Sequence, residues 1–485
     1  MRGRLAAALA AAAVALAVAD GAAATGGLSV TGTPALFPSF DRAVSDYVSR
    51  CGASGSLRLT GHAPAGTTVS VDGRPPRTGA FDATVKVGAG QQVTVAIATA
   101  SRTARYQVRC LPEDFPHWSI ERHGPTQAQF FLVAPSEHYA AFFDARGVPI
   151  WWRRSKHVVF NPTLLPGGHL AWYDLPKAQW FKFGRVPDAH YEERRLDGSL
   201  VRKLRTVGTP TDLHEFQQLP NGHYLLDSYR PVAGVDLRRW GGPQDATVYF
   251  GEAQEVTAAG KLVWRWSSRD HVRLAETADW WPRIVKDQSK VPEQNRFYDA
   301  FHINSIAPAG DDFVISGRHA DAVYRVDRAS GRVEWKLGGT HTGRSLEIVG
   351  DPHYGSTTFG GQHDARVLAD GTVTVFDNGA GRDRPPRLVR YQIDPVARTA
   401  TLVEELTDPQ VPSASWGGGT RRLAGGDWVT GWGGSPFVTE TTPAGEVVMR
   451  LRLEGASLYR AFPVPRGVLA ARRLRAAMDR MNPRG

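Results

Sequence analysis

The chain has 485 residues, 42% of them hydrophobic and 22% charged, a balance that reads as globular and excludes a disordered polyelectrolyte. Its formal net charge of +10 does not argue for a nucleic-acid partner, because the excess sits at the ends: residues 1–24 carry +1 and the tail from Arg466 carries +5, leaving about +4 for the body.

The start, "MRGRLAAALAAAAVALAVADGAAATGG", has Arg2 and Arg4, an apolar run from Leu5 to Val18, and then small residues. Residues 1–24 are predicted to be a secretory signal peptide cleaved near Ala24, so the mature chain is expected outside the cell. The apolar run is too short to span a bilayer. No cysteine lies near the cleavage site to take a lipid. No later segment approaches spanning length, so no stable membrane insertion is expected.

Residues 25–115 are predicted to form a small β-sandwich-like domain, from alternating segments such as "TTVSVDG", "FDATVKV" and "QVTVAIATA". Cys51 and Cys110 are the only cysteines and bracket this segment. In an oxidising compartment they are expected to pair, contributing roughly 4 kcal/mol in the loop-entropy picture. No CxxC and no nearby histidine cluster supports a redox or metal role.

From about Pro116 to Pro465 two units alternate. One is a strand entering a turn, as in "HEFQQLPNGHYLLDS", "HINSIAPAGDDFVIS" and "HDARVLADGTVTVFD". Its turn glycines, Gly168, Gly222, Gly310, Gly371 and Gly426, recur at intervals of 54, 88, 61 and 55. The other unit is a hairpin such as "TAAGKLVWRW" or "DRASGRVEW", which appears six times between Asp144 and Arg450. Short strands at this period without helical periodicity predict an all-β chain, a six-bladed β-propeller over residues 116–465. The long interval holds an insertion, about Ser267 to Asp299, placed to roof the central channel on one face. The tail, 466–485, has Val468, Ala471, Leu474, Met478 and Met481 on one helical stripe and predicts a short basic helix docked on the propeller.

The innermost strand of each blade lines the channel. His214, His302 and His363 each stand eight residues before a turn glycine, so three consecutive blades are expected to point an imidazole into one pore; Phe160 and Gly418 occupy the equivalent positions. A single strand histidine is usually structural, but three at one phase make a convergent site. His319, His341 and His353 lack that phase and read as structural or surface residues. Three imidazoles could hold a divalent metal, yet Arg318 falls at a strand end beside the His302 position, and a guanidinium suits an anion instead. "GGTHTGRS" nearly spells a phosphate loop, but no helical pattern follows it, so it reads as an inter-blade turn. Trp280, Trp281, Trp416 and Trp432 read as either pocket lining or inter-blade core. The pocket as a whole is polar and cationic. It suits transfer of a small oxyanionic group, with one neutral imidazole as nucleophile and positive donors on the equatorial oxygens.

Four segments in order, "LHEFQQLPNGHYLL", "DAFHINSI", "SGRHADAVYRVDRASGRVEWKLGG" and "QHDARVLADGTVTVFDNG", resemble the bacterial arylsulfotransferase family, the PAPS-independent aryl-sulfate sulfotransferases. The resemblance covers most of residues 116–465. It implies a six-bladed propeller that moves a sulfuryl group from a phenyl sulfate ester to a phenol by a ping-pong route, with no metal or nucleotide cofactor. It implies that His363 is transiently sulfated, with His214, His302 and Arg318 as catalytic partners and Asn304 binding substrate. The N-terminal domain, "HEFQ" and "QHD" depart from the family's patterns, which leaves dimerisation and acceptor preference open. A quinone-dependent propeller dehydrogenase and a non-catalytic binding propeller are the competing readings; the first needs a calcium ligand set that the sequence does not display.

Overall fold

A computed structural model describes residues 27–484 apart from 177, 178, 180, 181, 183, 278 and 355–358. Residues 1–24, read as a signal peptide, lie outside the described residues. Between Ser29 and Cys110 the strands form a three-stranded and a five-stranded sheet around a core of Leu57, Leu59, Val93 and Val95. Cys51 and Cys110 are disulfide-bonded inside that core.

The remaining sheets form six blades among the described residues, and the predicted propeller is the fold. Blade 2 runs Val158–Leu164, Leu170–Leu175, His190–Arg194 and Leu200–Leu204 from the axis outward; blade 3 runs Thr211–Gln218, Tyr224–Val235, Ala246–Val256 and Leu262–Ser267. Blade 4 is Ile303–Ala309, Asp312–Gly317, Ala322–Val326 and Val333–Gly338. Blade 5 is His363–Val367, Val373–Asp377, Arg387–Asp394 and Thr399–Leu406, with Glu347–Val349 added at its rim. Blade 6 is Gly419–Arg422, Trp428–Gly431, Phe437–Thr441 and Val447–Leu453.

The ring closes twice. Phe462–Pro465, from the C-terminal side, becomes the innermost strand of blade 1 beside Ala128–Ser136, Tyr139–Asp144 and Pro149–Arg154; Trp118–Arg122 adds an outer strand to blade 6. Exchange of strands between the two ends leaves no sheet edge open at the seam.

The glycine ruler has a backbone cause. All five turn glycines adopt positive φ, from 68° to 99°, a region closed to most side chains. The hairpin "DPVARTATL" has no glycine, and there Arg398 takes φ 57°. "GGTHTGRS" connects blade 4 to the Glu347–Val349 rim strand with no helix after it.

Helix Ala471–Met481 buries Leu474, Ala477 and Met478 in the core shared by Trp151 and Phe115. Val468 falls before this helix and is 58% exposed, so it takes no part in the buried stripe. Arg475 pairs with Asp46 and Asp479 with Arg109, so the helix also grips the N-terminal sheets. No helix among the described residues is long and apolar enough to cross a membrane.

Candidate active site

The inner strands of blades 2 to 5 break register beside the axis, between Phe160 and Thr163, Thr211 and Phe216, Ile303 and Ser305, and His363 and Arg366. Such bulges re-aim side chains. Here they turn His214, His302 and His363 toward one chamber. The His214 and His302 rings are 4.8 Å apart, and Tyr459 lies 5.7 Å from His214 and 6.5 Å from His363.

Each imidazole is held through Nδ1. His363 Nδ1 faces Asn378 Oδ1 at 2.7 Å and the Gly361 carbonyl at 2.9 Å, so it is the protonated nitrogen and Nε2 keeps the lone pair. His302 Nδ1 meets Asp299 Oδ2 at 2.6 Å, and Asp299 Oδ1 also accepts the His302 backbone N–H at 2.8 Å. These bonds stabilise an uncommon backbone, since His302 has φ 52°. His214 Nδ1 contacts Asp212 Oδ1.

Burial makes the chamber hostile to charge. It pushes His363 well below the ordinary imidazole range, and Arg318 pushes it further. Burial, then His214 and Arg318, lower His302 in the same way, and burial lowers His214 to about 4. All three rings are therefore neutral at pH 7. Burial raises Asp212 to about 7 and Asp227, which Asp212 further repels, well above the usual carboxyl range. That buried pair holds a proton at neutral pH.

Arg318 lies with its guanidinium 4.3 Å over the Trp280 ring, donating to the Ser415 carbonyl and to His319 Nε2, both at 3.0 Å. Burial lowers it to about 10, so it stays cationic. Asn304 is fully buried in the wall: its Nδ2 donates to the Gln362 carbonyl at 2.6 Å, next to His363.

The structure brings together the three histidines and Arg318, and places Asn304 behind His363. It adds residues that the glycine phase did not single out. His319, read as structural or surface, is buried 4.7 Å from His302, with Nδ1 on the Asp299 carbonyl. Tyr229 is buried 6.3 Å from His302, and its hydroxyl has no hydrogen-bond partner among the described residues. Tyr459, Asn378, Asp212 and Asp299 complete the set. A second ruler could have found three positions: Tyr229, Arg318 and Asn378 stand seven or eight residues after a turn glycine, where the second strand returns to the same face. Of the tryptophans, Trp280 reaches the site from the insertion, Trp281 and Trp432 are core, and Trp416 is 41% exposed.

The propeller holds a chamber of neutral imidazoles beside one guanidinium, a lining that suits a small oxyanion. The chain belongs to the arylsulfotransferase family: the family model described as "Arylsulfotransferase (ASST)" matches residues 197–454, more than half of the sequence. Membership carries arylsulfotransferase activity in general. Solved structures are similar only distantly. A Bacteroides caccae protein of unknown function is 11% identical over 70% of this chain and 99% of its own, with TM-score 0.41. Virginiamycin B lyase from Staphylococcus aureus with quinupristin is 10% identical over 70% of this chain and 90% of its own, TM-score 0.36. The WD40 propeller domain of Doa1 is 9% identical over 85% of this chain and 91% of its own, TM-score 0.35. No curated protein sequence matches the chain.

Proposed function

We propose that this arylsulfotransferase works without PAPS, moving a sulfuryl group from an aryl sulfate to a phenol through a sulfated His363. The observation that carries the reading is the tautomer of His363: Asn378 Oδ1 and the Gly361 carbonyl occupy Nδ1, which leaves Nε2 unprotonated, with its lone pair, in a chamber shared with Arg318. Nε2 attacks sulfur, the S–O bond to the aryl group breaks, and an N–S bond forms. Arg318 and the Tyr229 hydroxyl face the developing charge on the sulfuryl oxygens. Asn304 acts through the Gln362–His363 backbone.

The departing phenolate takes a proton from the His214–Asp212 pair. Asp212 protonates Nδ1 as Nε2–H passes to the phenolate oxygen, leaving the pair one proton poorer. An incoming phenol returns that proton and attacks sulfur, and His363 is regenerated. Nothing is consumed besides donor and acceptor.

Export is part of the same reading. It is supported by the Cys51–Cys110 bond and by the composition of residues 1–24. The test of function is turnover of a chromogenic aryl sulfate with a phenol acceptor in a PAPS-free assay. Release of the chromophore that rises with phenol concentration, together with a sulfated acceptor product, supports the proposal. Release unaffected by phenol, giving free sulfate, would make the protein a hydrolase and contradict it.

A further inference from the structure

Blade 2 carries a second cluster of titratable groups, outside the reaction chamber. Asp174 ends the strand Leu170–Leu175, and His190 and Glu192 begin the neighbouring strand, where Asp174 and His190 are register partners. Alternation along a strand puts His190 and Glu192 on one face. All three side chains are buried. One atom from each lies within 4.8 Å of the others.

The state of His190 is the informative feature. Its Nδ1 stands 2.8 Å from the Asp188 carbonyl, which can only accept, so Nδ1 carries the proton. Nε2 is buried and has no hydrogen-bond partner among the described residues. It points between two carboxylates, 3.9 Å from Asp174 Oδ2 and 3.7 Å from Glu192 Oε1. Those separations are too long for hydrogen bonds, so Nε2 and the two carboxylate oxygens face one another across a gap that an ion bound to all three would fill. Donors each about 2.0–2.1 Å from one tetrahedral ion stand roughly 3.3 Å apart, so each carboxylate needs to approach Nε2 by about half an ångström to share an ion with it.

The surroundings already hold these donors in place. Arg194 takes Glu192 Oε2 at 2.7 Å, which turns Oε1 toward His190, and His157 Nδ1 holds Asp174 Oδ2 at 2.7 Å. Outer partners of this kind orient metal ligands, and a ligating histidine commonly gives its other N–H to a backbone carbonyl. Lys203 Nζ, 3.8 Å from Glu192 Oε1, is the competing cation; its side chain is 47% exposed and can withdraw into water. The other two His–carboxylate groupings, around Asp299 and around Asp212, belong to the reaction chamber, and there the Nδ1 atoms of His302 and His214 contact the carboxylates directly.

We propose that blade 2 binds one divalent transition-metal ion of the zinc type through His190 Nε2, Asp174 and Glu192 Oε1, with water in the remaining position. The ion ties the strands Leu170–Leu175 and His190–Arg194 together. Gly184, which lies between them in the chain, packs against Tyr229 and Asp212 of the chamber, so the tie is structural support and takes no part in sulfuryl transfer.

Tag-free, chelator-stripped full-length protein titrated with zinc chloride alone tests this, with bound metal counted after gel filtration. One zinc per chain and a zinc-dependent rise in Tm are expected. Affinity should fall at least ~50-fold in His190→Ala and in Asp174→Asn, and be unchanged in His62→Ala, a surface control. Glu192→Gln is read in the same titration, and any variant without the wild-type circular dichroism spectrum is set aside. Absence of zinc binding tighter than ~100 µM, or binding that persists in the folded variants, would overturn the proposal and leave His190 as an imidazolium between two carboxylates.

Discussion

The two ends of the central channel use charged and polar side chains in opposite ways. At the far end from the histidines, Glu215 and Asp364 clamp Arg366 at 2.6 and 2.7 Å, Arg421 pairs with Asp364, and Arg460 donates to the carbonyls of His214 and Asn304. Burial raises the Glu215 carboxyl, but Arg366, Arg460 and Arg421 more than offset this and hold it below its usual range. Every group there is charged and paired. At the histidine end the rings are neutral, the carboxyls are raised, and the buried Tyr229 hydroxyl has no hydrogen-bond partner among the described residues. The comparison separates plug from chamber: paired charges fix the backbone, and groups short of a partner are left for substrate. A small cavity of about 220 Å³ lies on the plug side, lined by Arg366, Arg421, Arg460 and Phe462.

The largest expected effect breaks the plug. Glu215→Ala leaves Arg366 and Arg460 buried without their shared anion and should cost about 3–5 kcal/mol in chemical denaturation. A loss under ~1 kcal/mol would mean that the pairs are not a unit. On the chamber side, Arg318→Met should slow sulfuryl transfer by roughly 10²–10³ with a much smaller loss of stability. If the two variants exchanged phenotypes, the distinction between plug and chamber would fail.

Asn378→Ala is milder, because the Gly361 carbonyl still accepts the His363 Nδ1–H. Single-turnover sulfation should slow about 10–100-fold, and Asn378→Asp should recover part of it. The smallest effect is in pH. In the proposed mechanism Asp212, raised to about 7 by burial, serves as the proton reservoir, protonated below that pH and ionised above it. With donors whose phenolates leave poorly, the rate should therefore fall by roughly tenfold per pH unit above about 7. An activated nitrophenyl donor should be nearly flat over the same range. Equal profiles for both donors would remove the pair from proton transfer.

Much of this was legible in residue spacing, because a turn that needs positive φ needs glycine. Gly222, Gly310 and Gly371 therefore mark the register of the strands that carry His214, His302 and His363. Tyr459 escaped that reading because it lies just before the strand Phe462–Pro465, which closes the ring from the C-terminal side and is not preceded by the repeating unit. His319 escaped because it follows the strand in a short 3-10 turn, where strand phase no longer applies. The orienting groups are legible only in three dimensions: Asn378 directly follows the second strand of blade 5 and Asp299 comes from the insertion's end. The proton held by Asp212 and Asp227 depends on burial, which spacing does not report.

The central claim is that His363 is the nucleophile, and donor without acceptor tests it most directly. After incubation with an aryl sulfate alone, digestion and mass analysis of the wild-type protein should place one sulfuryl group on the peptide carrying His363. His363→Ala should carry none, while Asn304→Ala, altered behind the nucleophile, should still carry some. Sulfation at the wild-type level in His363→Ala, or a sulfuryl group mapped to His302 or His214 in the unaltered protein, would contradict the account.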